Sequence, residues 1–237
     1  MPSVSSALQC ISAPSCPCPL ALPTVASDGL PSCSPCLTSQ FWRDVAQCYA
    51  REEDCLAAFV AVSGAEVLAG IKPANLVRIP DRSHRCGRNF YQLWRQHGLA
   101  APLARELAAC ELPVDGSGVL VLFYSPQLLQ RRLLSRGAQA FLRRCGYRQT
   151  RQLDTVLEQL VARCRCGFPH EIGLFLGYPL KDVAGFMAGK SASRQRMWKI
   201  FGPPRRSEAL ADAFFQARVA VLEQVRRGRL QPLMAAC

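Results

Sequence analysis

The chemistry-capable residues of this chain concentrate in two short blocks, and the first contains its one adjacent His–Glu pair, His170–Glu171. Pro169 suits the first turn of a helix, which sets the Glu171 carboxylate near the positive end of a helix dipole, worth about 0.3–1 kcal/mol. That placement explains Glu171 without a ligand. The same dipole disfavours an imidazolium, so His170 is expected neutral, the form suited to general-base or ligand work near pH 7. The second block is Gly70-Ile71-Lys72-Pro73-Ala74-Asn75. Its Gly, Pro and Asn specify a turn, and Lys72 with Asn75 can present a charge and an amide to a ligand. It is not a phosphate loop, because the GxxxxGK[ST] glycine pair is missing and no Ser or Thr follows the lysine.

Thiols supply the next candidates. Cys164-x-Cys166-xxx-His170 sets two sulfurs and an imidazole across a helix junction, a partial ligand set for zinc or iron with no obvious fourth member. His84 with Cys86 completes it only if the fold brings that loop near. Cys16-x-Cys18 and Cys33-xx-Cys36 lie near the N-terminus, without the spaced CxxC pairs of a zinc module. Thirteen cysteines, an odd number in 237 residues, do not make the even framework of a short secreted chain. Most are expected to be incidental thiols in a reducing cytoplasm.

Composition narrows the partners. The net charge of +12 is uneven: residues 1–125 carry nine Lys/Arg against ten Asp/Glu, and residues 126–237 carry 20 against 7. A basic half fits an anionic partner, or arginine-rich solvated helix faces. No run of 18 apolar residues occurs, so no membrane span is expected. The start of the chain lacks the charged region and apolar run of a signal peptide, so the expected location is the cytoplasm.

Residues 1–39, dominated by Pro, Ser and Cys, read as a disordered leader, and residues 40–237 as one globular domain. Phe41, Val45, Cys48, Cys55, Phe59 and Val62 keep helical spacing and predict one helix over 41–62. Residues 67–79 read as a loop–strand element, which Pro73 confines to an edge. A helical pattern returns at 90–109. The runs 110–114 and 119–124 flank Asp115-Gly116-Ser117-Gly118 as a hairpin, and the second run, apolar on both faces, reads as a central strand. Ser125-Pro126 caps the first of three helices, near 126–135, 137–145 and 152–165, with Gly146 a stop. Residues 197–201 read as a short strand, and 206–228 as a last helix with Ser207 as cap and Gly228 as terminator. The sum is an α+β fold: a small antiparallel sheet of three or four strands enclosed by seven or eight helices.

Residues 68–76 and 168–186 together closely resemble the bacterial domain of unknown function 3793 family. The resemblance covers about residues 41–230 and implies a family with no assigned reaction. Relatives usually carry His-Cys-Ala-Pro-Thr just before the position of Leu68. Here the aligned residues are Ser63, Gly64, Ala65, Glu66 and Val67, so a nucleophilic or metal-binding cysteine of the relatives is absent from this chain.

Three function classes follow. The first is binding of a small anionic ligand between the 68–76 and 168–178 blocks, lined by Lys72, Asn75, His170 and Glu171. The second is a basic nucleic-acid-associated protein with a helix-turn-helix-like element at 170–187. That second helix offers only Lys181, Asp182, Ala184 and Gly185, so weak binding is expected. The third is a thiol or metal redox protein using Cys164, Cys166 and His170.

Overall fold

The computed structural model describes residues 39–99, 107–114 and 116–229. The expected leader over 1–39 and the hairpin residue Asp115 lie outside the described residues, apart from Ser39 itself. The described part opens with α1 (Ser39–Cys48), α2 (Glu52–Ser63) and the single turn α3 (Ala65–Leu68). The chain continues through β1 (Ala74–Ile79), α4 (Phe90–His97), β2 (Ala108–Leu112) and β3 (Val119–Tyr124). Then come α5 (Pro126–Leu133), α6 (Arg136–Arg144), α7 (Leu153–Cys164), the single turn α8 (Ile172–Phe175) and α9 (Leu180–Met187). The strands β4 (Arg194–Gln195) and β5 (Lys199–Ile200) precede the long helix α10 (Arg205–Arg226).

The class is α+β. β3 lies in the middle of a three-stranded antiparallel sheet ordered β1-β3-β2, and β4 and β5 make a separate antiparallel pair. The apolar run of β3 is what makes it central. Val119, Val121 and Phe123 enter one core with Val77 and Ile79 of β1 and with α1, α2, α4 and α10. Leu120 and Leu122 point the other way, into a second core with α5, α6, α7 and α8. Side chains alternate across a strand, so a strand apolar on both faces needs a helix layer on each side. β1, which follows Pro73, is an edge strand, where a residue without an N–H is tolerated.

Several local signals act as their chemistry dictates. Ser125 caps α5, its Oγ accepting from the Leu128 N–H, with Pro126 in the first turn. Gly146 closes α6 at φ 93°, and Gly228 closes α10 at φ 70°. In each case a glycine adopts the left-handed conformation that frees the last carbonyls for N–H groups beyond the helix.

Elsewhere the structure departs from the sequence pattern. The expected single helix over 41–62 is two helices, broken where Arg51 is extended at φ −71° and ψ 144°. Glu52, Glu53 and Asp54 then occupy the first turn of α2. Three carboxylates in a row are stabilised at a helix start and not in its middle, so a new helix begins there. Of the helical pattern at 90–109, Phe90–His97 form α4, residues 100–106 lie outside the described residues, and strand β2 already starts at Ala108. Of the strand expected over 197–201, Lys199 and Ile200 pair with β4.

Ser207 is not a cap. It lies inside α10, fully buried, and its hydroxyl donates to Asp182 Oδ2 at 2.7 Å. Asp182 also accepts from Trp198 Nε1 at 2.8 Å, the Phe201 N–H at 2.9 Å and Lys181 Nζ at 2.7 Å. Burial pushes its carboxyl up the pH scale. Lys181, Phe201, Ser207 and Trp198 together outweigh that and hold it below the usual carboxylate range. Asp182 thereby ties α9 to β5 and α10.

Gly185 completes that junction, because a Cβ there would lie 2.5 Å from Phe201 Cγ. Gly185→Ala should therefore cost about 1–3 kcal/mol by overpacking despite its better helix propensity. A urea melt at least as stable as wild type would show that Phe201 moves aside freely.

Candidate functional site

The turn between α3 and β1 is built to carry a side chain inward. Gly70, at φ 71°, reverses the chain after α3, and the N–H groups of Ile71 and Lys72 both donate to the Glu66 carbonyl, at 3.2 and 3.1 Å. Lys72 is consequently buried, at 4% exposure, and so are Asn75 and Glu66. Fully buried ammonium groups are rare in folded proteins unless paired.

Glu66 is the hub of this cluster. Its Oε1 lies 2.7 Å from Arg218 Nη2 of α10, and its Oε2 accepts from Asn75 Nδ2 at 2.6 Å. Asn75 Nδ2 also donates to the Ser63 carbonyl at 2.8 Å. Both amide hydrogens are thus spent inside the protein. Asn75 positions Glu66 with them, and only its carbonyl oxygen is left to offer a ligand.

Lys72 points elsewhere. Its Nζ lies 5.6 Å from the ring centroid of Tyr178 and 5.2 Å from that of Phe214. Tyr178 in turn stacks on Trp198 at 4.5 Å, and its carbonyl accepts from Arg132 Nη2 at 2.6 Å. Burial lowers the Lys72 ammonium from 10.5 to about 8. The Arg218 charge adds to the fall, and Glu66 opposes it. Burial likewise raises the Tyr178 phenol to about 12, with Glu66 contributing. The cluster therefore sets the buried Lys72 ammonium and the largely buried Arg218 guanidinium around the Glu66 carboxylate.

The two blocks touch at Gly177. At φ 81° it passes so close to the 70–75 block that a Cβ would lie 2.6 Å from Pro73 Cδ and 3.8 Å from Lys72 Cγ. This contact brings Tyr178 over Lys72. It does not bring the Glu171 carboxylate there. Glu171, also buried, is ion-paired with Arg163 Nε and accepts from the Tyr147 hydroxyl at 3.3 Å, in the core on the other face of the sheet. Burial and the neighbouring Glu171 charge push the Tyr147 phenol well above its ordinary range.

His170 is exposed, its ring edge-on to Phe186 at 5.2 Å. The helix expected to start at Pro169 is the four-residue α8, with a tight turn through 169–171 before it. One turn sums few peptide dipoles, so a helix-terminus account of His170 and Glu171 loses its basis.

The other candidates fall into place around this frame. Among the described residues, no group of three or more His, Cys, Asp or Glu gathers to hold a metal ion, the expected Cys164, Cys166 and His170 set included. In the helix-turn-helix-like segment, Asp182 faces inward, Lys181 Nζ donates to the Phe201 carbonyl at 2.8 Å, and Gly185 packs on Phe201. Asp182 and Gly185 are thus buried in the fold, and the exposed Lys181 is tied down to Asp182 and the Phe201 carbonyl. Sequence reasoning missed Glu66, Arg218 and Tyr178. The one local signal for Glu66 was a carboxylate between Ala65 and Val67, in a segment where every other side chain is small or apolar.

Helices on both faces of a three-stranded antiparallel sheet, with buried Glu66 and Lys72 beside Arg218 at the edge of β1, define an α+β protein with a cluster of charged side chains drawn inward. The family profile described as protein of unknown function (DUF3793) matches residues 60–234, and the chain belongs to that family. No curated protein matches the chain, and no solved structure does. Among the described residues, no helix is long and apolar enough to cross a membrane.

Proposed function

We propose that the protein is a bacterial, cytoplasmic binder of a small anionic ligand, with Lys72 at the centre of the site. The observation that carries this reading is Lys72 itself: its ammonium is buried at 4% exposure between the rings of Tyr178 and Phe214, and no carboxylate among the described residues lies within ion-pair distance of it. An isolated buried cation is costly, and an anion beside Lys72 supplies the missing countercharge. The aromatic faces of Tyr178 and Phe214 shape the space around the ammonium, and the Asn75 carbonyl oxygen is one further contact. His170, exposed in the block whose Gly177 abuts Pro73, belongs to the rim of this reading and not to its floor, whereas Glu171, buried against Arg163 and Tyr147, has no part in it. The described cysteines are free thiols, which agrees with a reducing cytoplasm.

The test is a thermal-shift panel of phosphate, pyrophosphate, sulfate, citrate and nucleotides at fixed ionic strength. At least one anion should raise Tm by several degrees, and Lys72→Met should abolish that rise. A panel in which no anion outperforms chloride overturns the reading.

Lys72→Met itself carries a stability prediction. It removes a buried ammonium and leaves the Glu66 contacts with Arg218 and Asn75 in place, so the variant should fold at least as stably as wild type at pH 7. The folded-state pKa of Lys72 is depressed, so the unfolded chain holds its proton to higher pH than the folded one. The penalty is full below about pH 8 and is relieved as pH rises toward 10.5. Over that window wild type should gain roughly 3 kcal/mol relative to Lys72→Met. Chemical melts of both proteins at several pH values check it, and a constant difference would place the ammonium in water.

A further inference from the structure

A second cluster of reactive groups lies where α2 meets the loop between β1 and α4. Cys55, in the first half of α2, is fully buried, whereas Cys86 in the loop is half-buried. The loop folds back on itself. The His84 N–H donates to the Arg88 carbonyl at 2.8 Å, the Gly87 N–H donates to the His84 carbonyl at 2.9 Å, and Gly87 takes φ 85°. This sets His84 Nδ1 3.4 Å from Cys86 Sγ. Three rings hold the imidazole: Trp42 edge-on at 4.8 Å, Phe90 at 4.7 Å and Phe59 at 6.1 Å. Arg88 straps the loop down, donating to the carbonyls of Tyr49 at 3.0 Å and Ala50 at 2.7 Å.

Cys86 packs against the core cluster that contains Cys55, and the two thiols interact but differ in environment. Cys86 accepts from the Cys55 thiol, His84 and the backbone N–H of Arg88, which together hold it well below the ordinary thiol range against the effect of burial. That hydrogen bond and burial push Cys55 the other way, although the Arg88 side chain opposes them. The more accessible sulfur thus carries the charge and the buried one keeps its proton. A nucleophilic thiolate with a resolving thiol behind it has this arrangement.

We propose that Cys86 and Cys55 form a redox couple, with Cys86 the attacking sulfur, Cys55 the resolving sulfur and His84 the positioning residue. The oxidant is a hydroperoxide. The Cys86 thiolate attacks its terminal oxygen, the S–O bond forms as the O–O bond breaks, and the departing alkoxide or hydroxide takes a proton. Cys55 sulfur then attacks the Cys86 sulfenic acid. The S–S bond forms, the S–O bond breaks, and the leaving hydroxide takes the Cys55 proton as water. One hydroperoxide is reduced by two electrons and two thiols become one disulfide, which a dithiol returns to the reduced state by exchange.

The full-length reduced protein is treated with one equivalent of hydrogen peroxide, blocked with an alkylating agent and mapped by mass spectrometry. The main product should be a Cys55–Cys86 linkage, reversed by dithiothreitol. In Cys55→Ser the Cys86 sulfenic acid should persist and take a dimedone tag. The unsubstituted protein gives an independent reading through iodoacetamide. An ordinary thiol loses about 100-fold in alkylation rate between pH 7.5 and 5.5, whereas Cys86 should change by less than about 3-fold. Peroxide that links other cysteines or none, or alkylation of Cys86 that falls with pH as steeply as that of glutathione, overturns the proposal. Neither outcome bears on anion binding at Lys72.

Discussion

Replacing Glu66 by Ala should destabilise the protein by about 3–5 kcal/mol, because it removes the carboxylate that lies between the buried Lys72 ammonium and the Arg218 guanidinium. Arg218 loses its 2.7 Å partner, and Asn75 Nδ2 loses the shorter of its two acceptors. Glu66 is also what limits the fall in the Lys72 pKa, so its removal should drive that ammonium further toward the neutral amine. The double variant Glu66→Ala/Lys72→Met restores part of the lost stability, since it removes the buried ammonium that Glu66 faces. The measurement is a double-mutant cycle by urea denaturation, with the coupling read from the four free energies. A loss under about 1 kcal/mol for Glu66→Ala, or strict additivity with Lys72→Met, would mean that water reaches the cluster and that its charges are screened.

Phe175→Ala should cost about 3–5 kcal/mol as a core truncation. Phe175 is fully buried in the core with Leu129, Leu142 and Leu160, its ring centroid 6.2 Å from that of Tyr147. Ile172 and Leu176 are buried beside it, so the short helix α8 is held by packing on the sheet and not by its own length. His170→Ala, two residues before Ile172, is the internal control. His170 is exposed and meets only the edge of Phe186 here, so its removal should change stability by less than about 0.5 kcal/mol. Equal effects from the two substitutions would mean that the 168–178 block packs otherwise. The contrast matters for function, since a rim residue can be altered in a binding assay without disturbing the frame that holds Lys72.

Much of the frame was legible in the sequence because it depends on short-range constraints. The run Val119–Tyr124 is apolar at every position, which suffices to make it a central strand covered on both faces. Ser125-Pro126, Gly146 and Gly228 mark helix ends through their own backbone chemistry. Pro73 confines β1 to an edge for the same reason, and the family could be recognised from two blocks of such residues.

The break between α1 and α2 was hidden, since the apolar spacing continues across it while the choice of a new start rests on the electrostatics of Glu52, Glu53 and Asp54. The partners of the charged side chains were beyond local reading altogether. Lys72 and Asn75 stood out by composition, but which carboxylate and which arginine they meet depends on how α10 crosses α3. Glu171 was expected to line one pocket with Lys72, yet it finds Arg163 and Tyr147 on the far face of the sheet. Cys55 and Cys86 meet because a loop folds back onto α2, and no spacing rule connects them. Periodicity and turn chemistry are properties of a few consecutive residues. Burial of a charge forces it to find a partner in three dimensions, so the tertiary packing alone decided which groups share a site.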